Sequence, residues 1–232
     1  MLLSITNLNF AYGEAQILYN LTLDVEIGKV TCIMGRNGVG KTTFLRNIMG
    51  LLRPQTGTVL LAGKEIAQMP PHLRAKMGVT LVPQGRDIFP KLTVEENLRI
   101  GLEARTDGVK KIPDDIYEMF PVLKDMRRRM GGDLSGGQQQ QLAIGRALTA
   151  NPGVLLLDEP TEGIQPSIIK HIGEVLRRLS ARKDMAIVLV EQYLDFVREV
   201  GDGFVIMNRG RIVHRGICSE LHAHVVREHL SV

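Results

Sequence analysis

The sequence predicts an α/β domain with a mixed central sheet, an antiparallel β subdomain on the N-terminal side and an inserted helical subdomain. Three observations predict it. The segments VTCIM at 30–34, VLLLD at 154–158 and AIVLV at 186–190 are apolar on both faces, as parallel strands covered by helices on each side are. LTLDVEI at 21–27 alternates instead, with Leu21, Leu23, Val25 and Ile27 on one side and Thr22, Asp24 and Glu26 on the other. That is the period of an antiparallel strand with one wet face. Between these textures, residues 86–150 carry helix signals.

The elements follow in chain order. VTCIM runs into GRNGVGKTT and then into the helical pattern TFLRNIMGLL, which is expected to close at Pro54 because proline cannot continue a helix. TVEEN at 93–97 offers Thr93 as an N-cap and Glu96 at the reciprocal capping-box position, opening a helix that should stop near Gly101. DLSGGQQQQLAIGRALTANP at 133–152 starts another helix, with Ser135 as N-cap and Leu142, Ala143, Ala147 and Leu148 at helical spacing. The apolar run in LVEQYLDF stops abruptly at Glu191 and Gln192, and a final strand pair, FVIM at 204–207 and RIVHRG at 211–216, is joined by the turn-like NRG. Residues 1–232 are expected to form a single domain. In it 1–85 and 151–232 make the core and the antiparallel subdomain, and 86–150 make the helical subdomain.

Composition narrows the function classes. With 44% hydrophobic and 23% charged residues the chain is not dominated by disorder. Cys32 and Cys218 show neither CxxC nor Cys/His ligand spacing, which speaks against a disulfide framework or a zinc site and fits a reducing compartment. The start lacks signal-peptide character, and apolar runs such as AIVLV fall far short of the roughly 20 residues of a membrane span. The net charge of +4 is spread out except at Arg127, Arg128 and Arg129 and at Lys110 and Lys111. A nucleic-acid binder concentrates its charge more, so no nucleic-acid partner is expected. The arginine run reads as a solvated face, with lipid head groups or a neighbouring subunit as alternatives. His222, His224 and His229 invite a metal reading, but positions two apart do not share a helix face, and a solvated tail is expected.

GRNGVGKTT satisfies G-x-x-x-x-G-K-T with Gly35, Gly40, Lys41 and Thr42, in the strand–loop–helix order that a phosphate-binding loop requires. Glycines let backbone N–H groups converge on phosphate oxygens, and the helix N-terminus adds partial positive charge. Lys41 reaches the β and γ phosphates and the Thr42 hydroxyl ligates Mg²⁺. The nucleotide-holding set is therefore Gly35, Arg36, Asn37, Gly38, Val39, Gly40, Lys41, Thr42 and Thr43. In VLLLDEP, Asp158 is the candidate metal-holding carboxylate and Glu159 the candidate that orients or deprotonates the attacking water. Taken alone, the pair reads equally well as helix-capping acids after a core strand.

Ser135 with the N–H groups around Gly136, Gly137 and Gln138 makes a second anion-seeking helix end. One nucleotide needs only one cradle. If two copies stack head to tail, each copy's LSGGQ closes over the γ phosphate held by the other's lysine loop; the alternative is an ordinary glycine-containing helix start.

GRNGVGKTT, VPQ, LSGGQ and LLLDEP, in this order and spread over nearly the whole chain, resemble the nucleotide-binding subunit of an ATP-binding-cassette (ABC) transporter, a P-loop NTPase. The resemblance implies ATP and Mg²⁺ as cofactors, ATP hydrolysis coupled to transport, and stacking of Tyr12 on adenine, although a surface or core tyrosine is the alternative. It also implies that Gln84 touches Mg²⁺ or the attacking water and reports the γ phosphate to a membrane partner. Two positions depart from the family pattern. Gln165 stands where an aspartate is usual, which puts communication across the pair in doubt. Gln192 stands where a histidine commonly contacts the γ phosphate; an amide can donate a hydrogen bond there but carries no charge and shuttles no proton. The expectation is that Glu159 performs the base chemistry and Gln192 senses phosphate.

GRDIFPKLTVEENL and DEPTEGIQPS are most similar to the second ATPase of the branched-chain amino acid and urea uptake family. That likeness implies a peripheral subunit on the cytoplasmic face of a bacterial inner or plasma membrane. Its partners would be a second ATPase subunit (a heterodimer, with a homodimer as the alternative), integral membrane permease subunits and, indirectly, a periplasmic or extracellular solute-binding protein. Urea or a short-chain amide is the first expectation for cargo; branched-chain amino acids and, further off, a lipid or lipopolysaccharide exporter are alternatives. Soluble cassettes of DNA repair or translation control carry coiled-coil insertions or two cassettes per chain, and neither is in the sequence. A catalytically dead binding module is disfavoured by Lys41, Asp158 and Glu159.

Overall fold

The computed structural model describes residues 1–221; His222, His224 and His229 lie outside them. β1 (Leu3–Tyr12) and β2 (Ala15–Val25) pair antiparallel. β3 (Val30–Met34) leads into α1 (Lys41–Met49), after which β4 (Thr56–Leu61) and β5 (Lys64–Glu65) complete a four-stranded sheet of order β2-β1-β4-β5. Leu21, Leu23 and Val25 point inward and are buried, as their alternation predicts. Ile27 does not follow: β2 ends at Val25 and Ile27 is 48% exposed in the turn before Gly28. Alternation carries burial information only while the strand remains paired.

α1 corrects a second expectation, because it ends at Met49 and not at Pro54. Gly50 adopts φ +82° and its N–H returns to the carbonyls of Arg46 and Asn47, the left-handed cap that glycine makes cheaply. Carbonyls of that end also accept from Arg74, on α2 (Pro71–Lys76). Fully buried, it donates to Asn47 O at 2.7 Å and Ile48 O at 2.8 Å, and to Ala67 O and Met69 O. Burial lowers its pKa to about 10, so it still places a cation at the negative end of α1.

After β6 (Val79–Val82), the inserted region holds α3 (Val94–Ile100), α4 (Asp114–Met119), α5 (Pro121–Asp125) and α6 (Gly136–Thr149). The capping box at Thr93 and Glu96 forms as expected, with Thr93 N donating to Glu96 Oε2 at 2.8 Å and Glu96 N to Thr93 Oγ1 at 3.2 Å. β7 (Val154–Asp158), α7 (Pro166–Ala181), β8 (Ala186–Val190), α8 (Leu194–Val200), β9 (Gly203–Asn208) and β10 (Arg211–Ile217) complete the described chain. The main sheet has order β10-β9-β3-β8-β7-β6, parallel throughout except for β10 against β9.

Two hydrophobic cores flank that sheet. One joins it to α1 and the antiparallel sheet through Phe44, Leu45, Ile5 and Val188. The other joins it to α6, α7 and the inserted helices through Leu142, Leu176, Leu189 and Phe120. This two-sided cover explains why AIVLV, and VLLLD up to Asp158, are apolar on both faces. Among the described residues no helix is long and apolar enough to cross a membrane.

Candidate active site

Parallel strands deliver their following loops to one edge of a sheet. Here the carboxyl ends of β3, β6, β7 and β8 carry the glycine loop, Gln84, Asp158 with Glu159, and Glu191 with Gln192. Strand register aligns them: Asp158 pairs with Val190 and Val190 with Ile33.

The glycine loop needs its glycines where they stand. Gly40 has φ +106°, and a Cβ there would lie 2.8 Å from Leu18 Cδ2. No side chain caps the start of α1, so its first N–H groups face the loop without a competing acceptor. Lys41 is almost fully buried and donates from Nζ to Gly35 O at 2.8 Å and Arg36 O at 3.0 Å. That ammonium is also 3.4 Å from Glu159 Oε1.

Glu159 is the meeting point. It takes φ +48°, rare for a residue with a side chain, while its N–H donates to Val190 O at 2.9 Å. Gln192 Nε2 donates to Glu159 Oε1 at 2.7 Å and to Asn37 Oδ1 at 2.7 Å. Gln84 Nε2 donates to Glu162 Oε2 at 2.9 Å and approaches Glu159 Oε2 at 3.4 Å. Lys41, Glu159, Gln84, Gln192 and Asn37 thus form one network. A cavity of about 320 Å³ opens beside it, lined by Tyr12, Lys41, Thr42, Thr43, Gln84 and Glu159. The Tyr12 ring is edge-on to Phe10 and 47% exposed. A larger hollow of about 630 Å³ between α7 and α8 contains no residue of the glycine loop, so size alone does not mark this site.

The family model for ABC transporters matches residues 18–162. This chain belongs to the ABC transporter family. Among similar curated proteins, a probable branched-chain amino acid transport ATP-binding protein, LivF of Archaeoglobus fulgidus, is 37% identical over 96% of this chain and 95% of its own length. The high-affinity branched-chain amino acid transport ATP-binding protein BraG of Pseudomonas aeruginosa is 36% identical over 91% of each chain. Among solved structures, the dimeric ABC transporter cassette MJ0796 superposes with a TM-score of 0.84 at 26% identity, covering 93% of this chain and 98% of that one. As an ABC cassette the chain binds and hydrolyses ATP.

The cassette's acidic strand end fits a divalent cation. Asp158 is 3% exposed, and its Oδ1 has no hydrogen-bond partner. Burial pushes its carboxyl above the usual range, opposed by the nearby Thr42 hydroxyl. A buried carboxylate oxygen without a donor is costly unless something else satisfies it, and the neighbours, a hydroxyl and carboxylates, are hard oxygen donors suited to Mg²⁺.

Ser135, Gly136, Gly137 and Gln138 stand apart from this network. Ser135 caps α6 in a reciprocal box with Gln138, Ser135 N donating to Gln138 Oε1 at 2.9 Å and Gln138 N to Ser135 Oγ at 3.4 Å. Among the described residues no hydrogen bond or ion pair joins this turn to the lysine loop of the same chain. Its neighbours are the Arg86 guanidinium at Gly136 and Ile168 at Gly137. Gln165 is the N-cap residue of α7 and provides no side-chain cap.

Sequence reasoning missed Glu162, whose carboxylate holds Gln84. It also missed Arg86, which donates to Glu162 O at 3.4 Å and packs on Gly136. Glu162 was within reach as a second acid in the loop after Glu159; nothing local marks Arg86.

Proposed function

We propose that this cassette is the ATPase subunit of a membrane importer and that it works as one of two cassettes closing over ATP. The observation that carries the catalytic reading is the carboxylate of Glu159, set between Lys41, Gln192 and Gln84 at the sheet edge. Lys41 and the N–H groups opening α1 grip the triphosphate, and Tyr12 stacks on the base. Thr42, Asp158 and Gln84 would hold Mg²⁺, which when bound supplies positive charge to the β and γ phosphate oxygens. Glu159 orients the attacking water and accepts its proton. Gln192, already hydrogen-bonded to Glu159, donates to the γ phosphate and senses its presence.

The LSGGQ turn lies apart from its own lysine loop, which supports a second cassette, identical or different, supplying that turn in trans. The dimeric cassette MJ0796 supports the same reading. Permease subunits, a solute-binding protein and a place on the cytoplasmic membrane face follow from it.

For cargo we propose urea or a short-chain amide, on the likeness of FPKLTVEENL and TEGIQPS. A second reading, branched-chain amino acids, is favoured by the names of LivF and BraG. Uptake assays with urea and leucine on the assembled transporter decide between them.

Glu159→Gln in that complex is expected to reduce hydrolysis by about 10²-fold or more, on the scale of a lost general base; near-wild-type turnover overturns the catalytic assignment. Asp158→Asn separates metal binding from folding. Because burial raises the Asp158 carboxyl pKa, the ionised form opposes folding above that raised value. The amide is therefore expected to raise Tm at neutral pH, with the gain shrinking as pH falls from the raised value to the ordinary carboxylate range and absent below it, while Mg²⁺-dependent hydrolysis is lost.

A further inference from the structure

β8 is followed directly by Glu191, a carboxylate that is 3% exposed and has no cation partner among the described ion pairs. Its oxygens are nonetheless occupied. Oε1 accepts from Gln192 N at 2.8 Å and Tyr193 N at 3.2 Å, and Oε2 accepts from Thr161 Oγ1 at 2.8 Å. The first two donors are backbone groups at the turn into α8, which has no side-chain N-cap of its own. The third belongs to the loop that leaves Glu159. Only an acceptor without a competing proton matches two fixed N–H donors on a single oxygen.

The contacts close a ring around Glu159. One side runs through Gln192, the Glu191 carboxylate and Thr161 to Glu162; the other returns from Glu162 through Gln84 to Glu159. Burying an acid beside another acid is unfavourable, and both burial and Glu159 push the Glu191 carboxyl above its usual range. Local capping of a short helix does not require that arrangement, since serine or threonine caps more cheaply.

We propose that Glu191 is a positioning residue for ATP hydrolysis: its carboxylate locks the Gln192 turn to the loop after Glu159, so that the two move as one unit. This rests on the roles given above to Glu159 and Gln192. Glu191 touches neither nucleotide nor water and acts through Gln192.

The test is steady-state ATPase kinetics on the assembled complex. Glu191→Leu, which keeps the bulk and removes all three acceptor contacts, is expected to lower kcat about tenfold or more while KM for ATP stays within about threefold, as loss of an interaction used at the chemical step does. Glu191→Gln is expected to recover kcat to within about threefold of wild type. Its amide oxygen still accepts both N–H groups, and the Thr161 hydroxyl can turn to accept from the amide nitrogen. In a Gln192→Ala background, Glu191→Leu is expected to add less than about a twofold loss, the non-additivity of residues acting through one another.

A fully additive double variant, or wild-type kcat for Glu191→Leu beside a slow Gln192→Ala, overturns the proposal and leaves the roles of Glu159 and Gln192 standing. Wild-type turnover for Gln192→Ala sinks that earlier reading and the proposal together. If Glu191→Leu does not fold, Thr161→Val is the substitute. It removes one contact, with an expected loss of about threefold that disappears in the Gln192→Ala background; no loss, or an additive one, counts against the proposal.

Discussion

α1 and α6 both begin in glycine-containing turns, and the two starts are finished differently. α1 opens at Gly40 in a left-handed conformation with no side chain on its N–H groups. α6 opens at Ser135, whose hydroxyl and backbone N–H exchange hydrogen bonds with Gln138. The first start therefore presents its N–H groups without a competing side chain, and Leu18 packs close against Gly40. The second has two of its amides, those of Ser135 and Gln138, already paired in the capping box, which does not use the N–H groups of Gly136 and Gly137. One end is uncapped; the other is capped by its own side chains.

The largest expected break in this comparison is Lys41→Ala. It removes the buried cation at the uncapped end and should lower hydrolysis by about 10²- to 10³-fold, the scale of losing a donor to developing charge. Nucleotide-binding titrations beside the turnover assay check it. Gly40→Ala comes next. A Cβ at φ +106° meeting Leu18 is expected to cost about 1–3 kcal/mol of stability, read from urea unfolding, and to weaken ATP binding with it. Gly136→Ala is the matched substitution at the other start. There the obstruction is the far end of the flexible Arg86 side chain, so the stability loss should be clearly smaller than at Gly40. The smallest effects are at the caps. Ser135→Ala and Thr93→Ala should each cost about 1 kcal/mol of stability. Only Ser135→Ala should slow ATP-dependent pairing, followed by light scattering on a Glu159→Gln background; equal behaviour of the two would mean the Ser135 box is merely structural.

The strands and caps were legible because their causes are local. Two-sided apolarity marked β3, β7 and β8, a reciprocal pair three residues apart marked Thr93 with Glu96, and a lone hydroxyl before a helical pattern marked Ser135, whose exchange with Gln138 only the structure shows. The two errors also have local causes. Ile27 continues an alternation beyond the last paired residue, and Gly50 ends α1 before Pro54 can. Of the network around Glu159, Lys41 and Glu159 were legible through local motifs and Gln84 and Gln192 only through the family resemblance, and none of it was legible as a network. Glu162 holding Gln84 spans 78 positions and Gln192 reaching Asn37 spans 155, separations at which no pattern in the chain signals contact. Glu191 shows the limit most clearly. An acid after an apolar run looks like a strand end meeting water, yet it is buried, because its donors arrive from Thr161 and from the turn behind it.

Arg74 carries a consequence for how the molecule is assembled. The side chain that completes α1 lies 27 positions beyond the carbonyl of Asn47 that it satisfies, so during synthesis the glycine loop emerges attached to an unfinished helix. Competence to hold nucleotide should then appear only after α2 has docked, which makes early capture of ATP by a nascent chain unfavourable. In refolding experiments, nucleotide binding is expected to lag behind the gain of helical signal, and Arg74→Met should lengthen that lag.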